Sequence, residues 1–209
     1  MLIRSSAPVG VPSTTRSLRR PVRRLFLGAL RSREGKLCSN GRRFSVATMG
    51  VALYLALVGG GQHPKFPMNK VFLWDDHQYK CIGELSFKTF VKAVKLRKDK
   101  IVVVLENRVY VYNFSDLRLI DAIDTYENPK GLCALSADPS VSILACLDKK
   151  KGSVKITNYD KNTNLIIEGH QNTISCMNLN FNGSLLASAS DKGRSEEHTS
   201  ELQSHSDLV

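Results

Sequence analysis

Residues 101–114 read IVVVLENRVYVYNF, and this stretch decides the fold. Ile101–Leu105 is an unbroken run of aliphatic, mostly β-branched residues. Arg108–Phe114 (RVYVYNF) alternates through Val109, Tyr110, Val111 and Tyr112. Both runs have strand length, and Glu106-Asn107 between them reads as the turn of a tight hairpin. Similar pairs recur downstream. Gly131–Ser136 (GLCALS) leads to Ile143–Leu147 and then to Ser153–Tyr159 (SVKITNY). Ile174–Asn180 (ISCMNLN) leads through Asn182-Gly183 to Leu185–Ser190 (LLASAS). With Val91, Gly131 and Ile174 as starts, the units recur at about 40–45 residues, the period of a four-stranded propeller blade. Turns hold Gly, Asn, Asp and Pro, and no long helical period appears. The sequence therefore predicts an all-β chain, a WD40-like β-propeller rather than a sandwich.

Composition bounds the function. The 209 residues are 42% hydrophobic and 23% charged, the balance of a globular domain. A net charge of +11 would suit nucleic acid or an anionic membrane, but residues 1–50 alone carry +10 of it. Arg19, Arg20, Arg23, Arg24, Arg42 and Arg43 lie there, against a single acid, Glu34. The charge describes a leader, so no nucleic-acid partner is expected. Cys38, Cys81, Cys133, Cys146 and Cys176 are widely spaced and form no C-x-x-C pair, which argues against zinc or a redox motif. Cys133, Cys146 and Cys176 sit in apolar strand patterns and read as small buried hydrophobes in a reducing, cytoplasmic setting. No metal and no cofactor is expected. The longest apolar run, Val51–Val58, is far short of the ~20 residues a membrane helix needs. It ends in Gly59-Gly60-Gly61 and reads as a strand entering a turn.

The chain divides into three pieces. Residues 1–50 are expected to be a basic disordered extension. Their Arg and Ser richness is that of a transit peptide, and Pro21–Leu30 has the pattern of a short basic amphipathic helix, so organelle targeting is one reading. A mistranslated upstream region is the other. Residues 51–193 carry the β signal as a partial propeller. Residues 194–209 (RSEEHTSELQSHSDLV) break the pattern where another strand should begin. They resemble the conceptual translation of a sequencing-library adapter, and are expected to be an artefact rather than a natural tail.

Several strings together carry a family resemblance: LALVGGG at Leu55–Gly61, Pro64-Lys65-Phe66-Pro67, Trp74-Asp75-Asp76, CIGELSF at Cys81–Phe87, VKAVKLRKDKIVVVL at Val91–Leu105, NPKGLCAL at Asn128–Leu135 and LLASASDKG at Leu185–Gly193. Over about residues 53–193 the chain resembles the PROPPINs, WD-repeat propellers that bind phosphoinositides. The resemblance implies a seven-bladed propeller, of which this chain supplies about three blades. It implies binding of phosphatidylinositol 3-phosphate and 3,5-bisphosphate, and action in autophagosome formation with proteins of the lipid-transfer or conjugation machinery. It further implies a cytoplasmic protein, peripheral on preautophagosomal and endosomal membranes, and no enzymatic activity. By resemblance, His170, Ser188, Ser190 and Lys192 form one edge of a lipid pocket. The family's paired-arginine motif, Phe/Leu-Arg-Arg-Gly, does not occur; Arg42-Arg43 is followed by Phe44 and lies in the leader. Bidentate Arg is the strongest phosphate donor, so lipid binding by this chain is expected to be weak.

The alternative is a protein-binding WD-repeat scaffold without lipid. Lys95, Arg97, Lys98 and Lys100, with Lys92, cluster around a tight turn and would offer a basic rim to an acidic peptide; a solvated loop is the plainer reading. The pocket residues also have plainer readings. His170 begins a unit, where it can cap a turn, and Ser188 and Ser190 can hydrogen-bond within their sheet. Gly59–Gly61 lacks the Gly-Lys-Ser/Thr of a phosphate loop. Asp75, Asp76, Asp116 and Asp121 form no acid/base constellation and read as turn caps. Asn113-Phe114-Ser115 and Asn182-Gly183-Ser184 match the glycosylation sequon, but Asn182-Gly183 is better read as a turn.

Overall fold

Residues with two heavy atoms on Cβ have few rotamers to lose on a pleated surface, and the sheets here are built on runs of them. The computed structural model describes residues 66–191 throughout, residues 54–60, and the backbone of strands at residues 3–4, 34–39, 42–49, 52–53 and 200–201. No helix occurs among the described residues. The chain divides into two compact units, Met1–Leu105 with Tyr110–Asp121, and Glu106–Val109 with Ala122–Val209.

In chain order the first strands are β1 (Ile3–Arg4), β2 (Glu34–Ser39), β3 (Arg42–Met49), β4 (Ala52–Gly60), β5 (Lys70–Asp75) and β6 (Lys80–Ser86). They form an antiparallel sheet in the order β1-β6-β5-β4-β3-β2. β2 and β3 fall within the stretch read as an irregular leader. Much of that stretch, with the helix expected at 21–30, lies outside the described residues. β4 and β5 bury both faces. Ala56, Val58, Val71 and Leu73 enter one apolar cluster with Ile101, Val103 and Tyr112, while Leu55, Leu57, Phe72 and Trp74 enter another with Phe66. A strand covered on both sides has no polar face to alternate, so LALV and VFLW are continuous.

Next come β7 (Ala93–Leu96), β8 (Lys100–Val104), β9 (Arg108–Asn113) and β10 (Leu119–Asp124), a four-stranded meander in the order β10-β9-β8-β7. The hairpin expected from IVVVLENRVYVYNF is therefore present, with Leu105 buried in the connection beside Glu106 and Asn107. Ile101 through Val104 are wholly buried.

The second unit repeats the plan with β11 (Cys133–Leu135), β12 (Ile143–Leu147), β13 (Ser153–Asn158) and β14 (Thr163–Glu168), in that order. β12 is buried at every position and β14 is almost wholly exposed, Leu165 and Ile166 included. β15 (Ile174–Leu179) and β16 (Leu185–Ser190) pair as a hairpin, and β17 (Ser200–Glu201) lies against β16. Ala134, Ala145, Leu147, Val154, Ile156, Ile174, Met177 and Leu186 form the core of this unit.

Polar side chains organise the turns. Asp75 Oδ1 accepts from His77 N and Gln78 N, as the turn-cap reading expects. Asn128 brackets Leu132, accepting from its N–H at 2.7 Å and donating to its carbonyl at 2.9 Å. That bracket, with Gly131 at φ 70°, delays β11 until Cys133. The Asn182-Gly183 turn is as expected: Gly183 adopts φ 75°, and Ser184 N donates to Asn182 Oδ1.

Burial sets the sensitivity to truncation. Leu147→Ala, in the core of the second unit, should lower stability by about 2–5 kcal/mol. Leu165→Ala, on an exposed edge, should change it by less than about 0.5 kcal/mol. Denaturant unfolding of the two variants checks the contrast.

Candidate functional site

The site is built on a glycine turn. β12 and β13 are joined through Asp148–Ser153, where Asp148 N donates to Ser153 O and Ser153 N to Lys150 O. Gly152 closes the turn with φ 77°, a region L side chains rarely enter. Its carbonyl accepts from His170 N at 3.1 Å. A Cβ at Gly152 would overlap the His170 carbonyl. The absent side chain thus lets the segment after β14 lie directly on the turn, and this fixes the backbone of His170.

His170 Nε2 lies 2.8 Å from Ser188 Oγ, joining two residues that the sequence places 18 positions apart. Which of the two donates depends on the imidazole tautomer. Ser190 follows Ser188 by one pleat and shares its face. Both serines are half-buried, and the alternating Ala187 and Ala189 are exposed. The end of β16 is pinned, with Ser190 opposite Ile174 and Asp191 N donating to Thr173 O at 3.0 Å. Lys192 lies outside the described residues.

Of the residues expected at a pocket edge, His170 and Ser188 are in contact, and Ser190 follows Ser188 on the same strand face. Ser188 spends its hydroxyl on His170 rather than on the sheet, whereas Ser175 on β15 bonds the sheet itself, through Ala189 O. Imidazole and hydroxyl groups can each donate to a phosphate oxygen. One ion pair near the end of β16 is not expected from the sequence. Lys130 Nζ stands 3.4 Å from Asp191 Oδ1, one residue past Ser190. Nothing in the sequence marks it, because the two residues are 61 positions apart.

The basic rim is organised differently from its expected form. Arg97 is buried at 8% exposure, with Nε 2.7 Å from Asp99 Oδ1. Lys100, also largely buried, holds Asp99 Oδ2 at 2.6 Å. Lys95 on β7 is half-buried and Lys98 at the turn is exposed. A buried guanidinium needs a counter-charge, and Asp99 supplies it; two of the four rim cations are therefore spent inside the hairpin. Burial pulls the Asp99 carboxyl upward, but the Lys100 hydrogen bond and the charges of Arg97 and Lys100 outweigh it and hold the carboxyl below its usual range.

The family model described as PROPPIN matches residues 54–200. Autophagy-related protein 18e of Arabidopsis thaliana is 43% identical over 152 residues, covering 72% of this chain and 41% of that protein. SVP1-like protein 2 of Emericella nidulans is 37% identical over 146 residues, covering 69% and 45%. The chain therefore spans less than half the length of these curated relatives. Among solved structures, the complex of KlAtg21 with the coiled coil of AgAtg16 matches with a TM-score of 0.62 at 21% identity, covering 75% of this chain and 51% of that one. Kluyveromyces lactis Hsv2 with its complete loop 6CD matches at 0.62 and 16%, covering 77% and 54%. At such identities the likeness speaks for the fold, and it agrees with the four-stranded meanders being blades of a partial β-propeller.

Two outcomes follow. Gly152→Ala should cost at least about 1–2 kcal/mol from its backbone conformation alone, and should displace His170; thermal unfolding and the His170 imidazole NMR signals report both. Because Asp99 is depressed, its contribution to stability is full above the unfolded carboxylate range and is lost as pH falls below about 4. Asp99→Asn should flatten that part of the acid-unfolding profile.

Proposed function

The chain belongs to the PROPPIN family, and on that premise we propose that it is part of a phosphoinositide-binding propeller scaffold acting in autophagosome formation. It presents one edge of a headgroup pocket for phosphatidylinositol 3-phosphate or 3,5-bisphosphate. The observation that carries this reading is the His170 Nε2–Ser188 Oγ contact of 2.8 Å, with Ser190 on the same strand face. A headgroup phosphate arriving there replaces one polar contact by several charge-assisted ones. Lys192, the residue after Asp191 in the sequence, is the cation assigned to this edge, since Lys130 is paired with Asp191. This edge alone offers few fixed positive charges and binds weakly, and association with preautophagosomal or endosomal membranes is peripheral. The role is recognition rather than catalysis.

A second reading is a protein-binding scaffold that uses the rim of Lys95, Arg97, Lys98 and Lys100 to hold an acidic segment of an autophagy protein. Its support is Lys98, exposed on a hairpin that Asp99 clamps from both sides. The buried Arg97 acts in this reading by shaping the turn.

Vesicle flotation separates the two. The chain should float with vesicles containing phosphatidylinositol 3-phosphate and not with matched phosphatidylinositol vesicles. His170→Ala should weaken binding by about tenfold, the worth of one charge-assisted hydrogen bond. Lys98→Ala should leave it unchanged. Equal flotation with both vesicle types contradicts the lipid reading, and a loss confined to Lys98→Ala moves the interaction to the rim.

A further inference from the structure

Cys133 on β11 and Cys146 on β12 stand directly opposite each other in the antiparallel register. The ladder shows what kind of pair they make. Ser136 N donates to Ile143 O at 2.9 Å, so residues 136 and 143 form a hydrogen-bonded pair. Pair types alternate along an antiparallel ladder. With Leu135 opposite Leu144 and Ala134 opposite Ala145, the pair of Cys133 and Cys146 is of the non-hydrogen-bonded type. That type brings Cα atoms to about 4.5 Å, with side chains at their closest. This lies inside the window of about 4.4–6.8 Å that a disulfide spans, at its short end.

Both side chains are reduced thiols on one face of the sheet, and both are buried, at 6% and 0% exposure. Lys155 of β13 stands opposite Cys146 on its other side, so a cation shares the face where a thiolate has to form. The other described cysteines lack this arrangement: Cys81 pairs with Trp74, and Cys176 with Ala189.

We infer that Cys133 and Cys146 are a dithiol–disulfide pair, a site of reversible oxidative modification within the second unit. A peroxide is the oxidant. The thiolate of Cys133, the more exposed of the two, attacks one peroxide oxygen; an S–O bond forms, the O–O bond breaks, and the departing hydroxide takes a proton and leaves as water. Cys146 then gives up its proton and attacks the sulfenic sulfur. The S–S bond forms, the S–O bond breaks, and the second oxygen leaves with that proton as water. The two sulfurs lose two electrons in all, and the peroxide is reduced to two waters. A dithiol reductant reverses the reaction by exchange, readily so for a bond at the short end of the window. Oxidation would fasten β11 covalently to β12. None of this rests on the lipid reading.

The test treats the full chain with hydrogen peroxide, alkylates remaining thiols in denaturant, and maps peptides by mass spectrometry without reduction. The expected result is one cross-linked peptide joining Cys133 to Cys146, lacking two hydrogens, with Cys81 and Cys176 not cross-linked. The link should vanish in Cys133→Ala and after a dithiol reductant, and should give way to mixed pairings when the chain is denatured before oxidation. Alkylated or separately oxidised Cys133 and Cys146 without a link would overturn the inference. So would mixed pairings from the native chain.

Discussion

The constraint on which the structure depends is the double-sided burial of its inner strands. β8 and β12 present apolar side chains to both faces, so neither can exist without cover above and below. Their backbone groups can be satisfied only by neighbouring strands, because no water reaches them. The meander answers both demands. Each inner strand pairs on either side, and polarity is deferred to β10 and β14 and to the turns. Function is thereby pushed to strand ends, where polar side chains are tolerated.

The candidate site follows from that arrangement. His170 enters from a connection and Ser188 from near the end of a strand, and Gly152 lets the connection settle on the neighbouring turn. An imidazole–hydroxyl pair suits an anion that arrives from solvent, because each group can turn toward an incoming oxygen. The hairpin of Arg97 and Asp99 shows the opposite economy. There the charges face each other and are spent on the turn itself.

Much of this was legible in the sequence, for physical reasons. Buried strands announce themselves through Ile101–Val104 and Ile143–Leu147, and the Asn182-Gly183 turn through its chemistry. The edge strands did not, because Leu119–Asp124 and Thr163–Glu168 face solvent and carry no clean alternation. β2 and β3 went unread because Arg42-Arg43 and interspersed Ser and Gly dilute their pattern. For the site, the family resemblance singled out His170, Ser188 and Ser190, and the geometry brings the first two into contact. Sequence alone could not bring Lys130 to Asp191, nor reveal that Arg97 is buried, since a charged run looks the same whether it faces water or Asp99.

The most direct measurement of headgroup binding at His170 and Ser188 is an NMR titration of the chain with a soluble inositol 1,3-bisphosphate headgroup. Headgroup binding at this edge predicts saturable shifts in the His170 imidazole and in the Ser188 and Ser190 amides, with Lys98 unmoved. Shifts at Lys98 without any at His170, or no shifts at either, would contradict it.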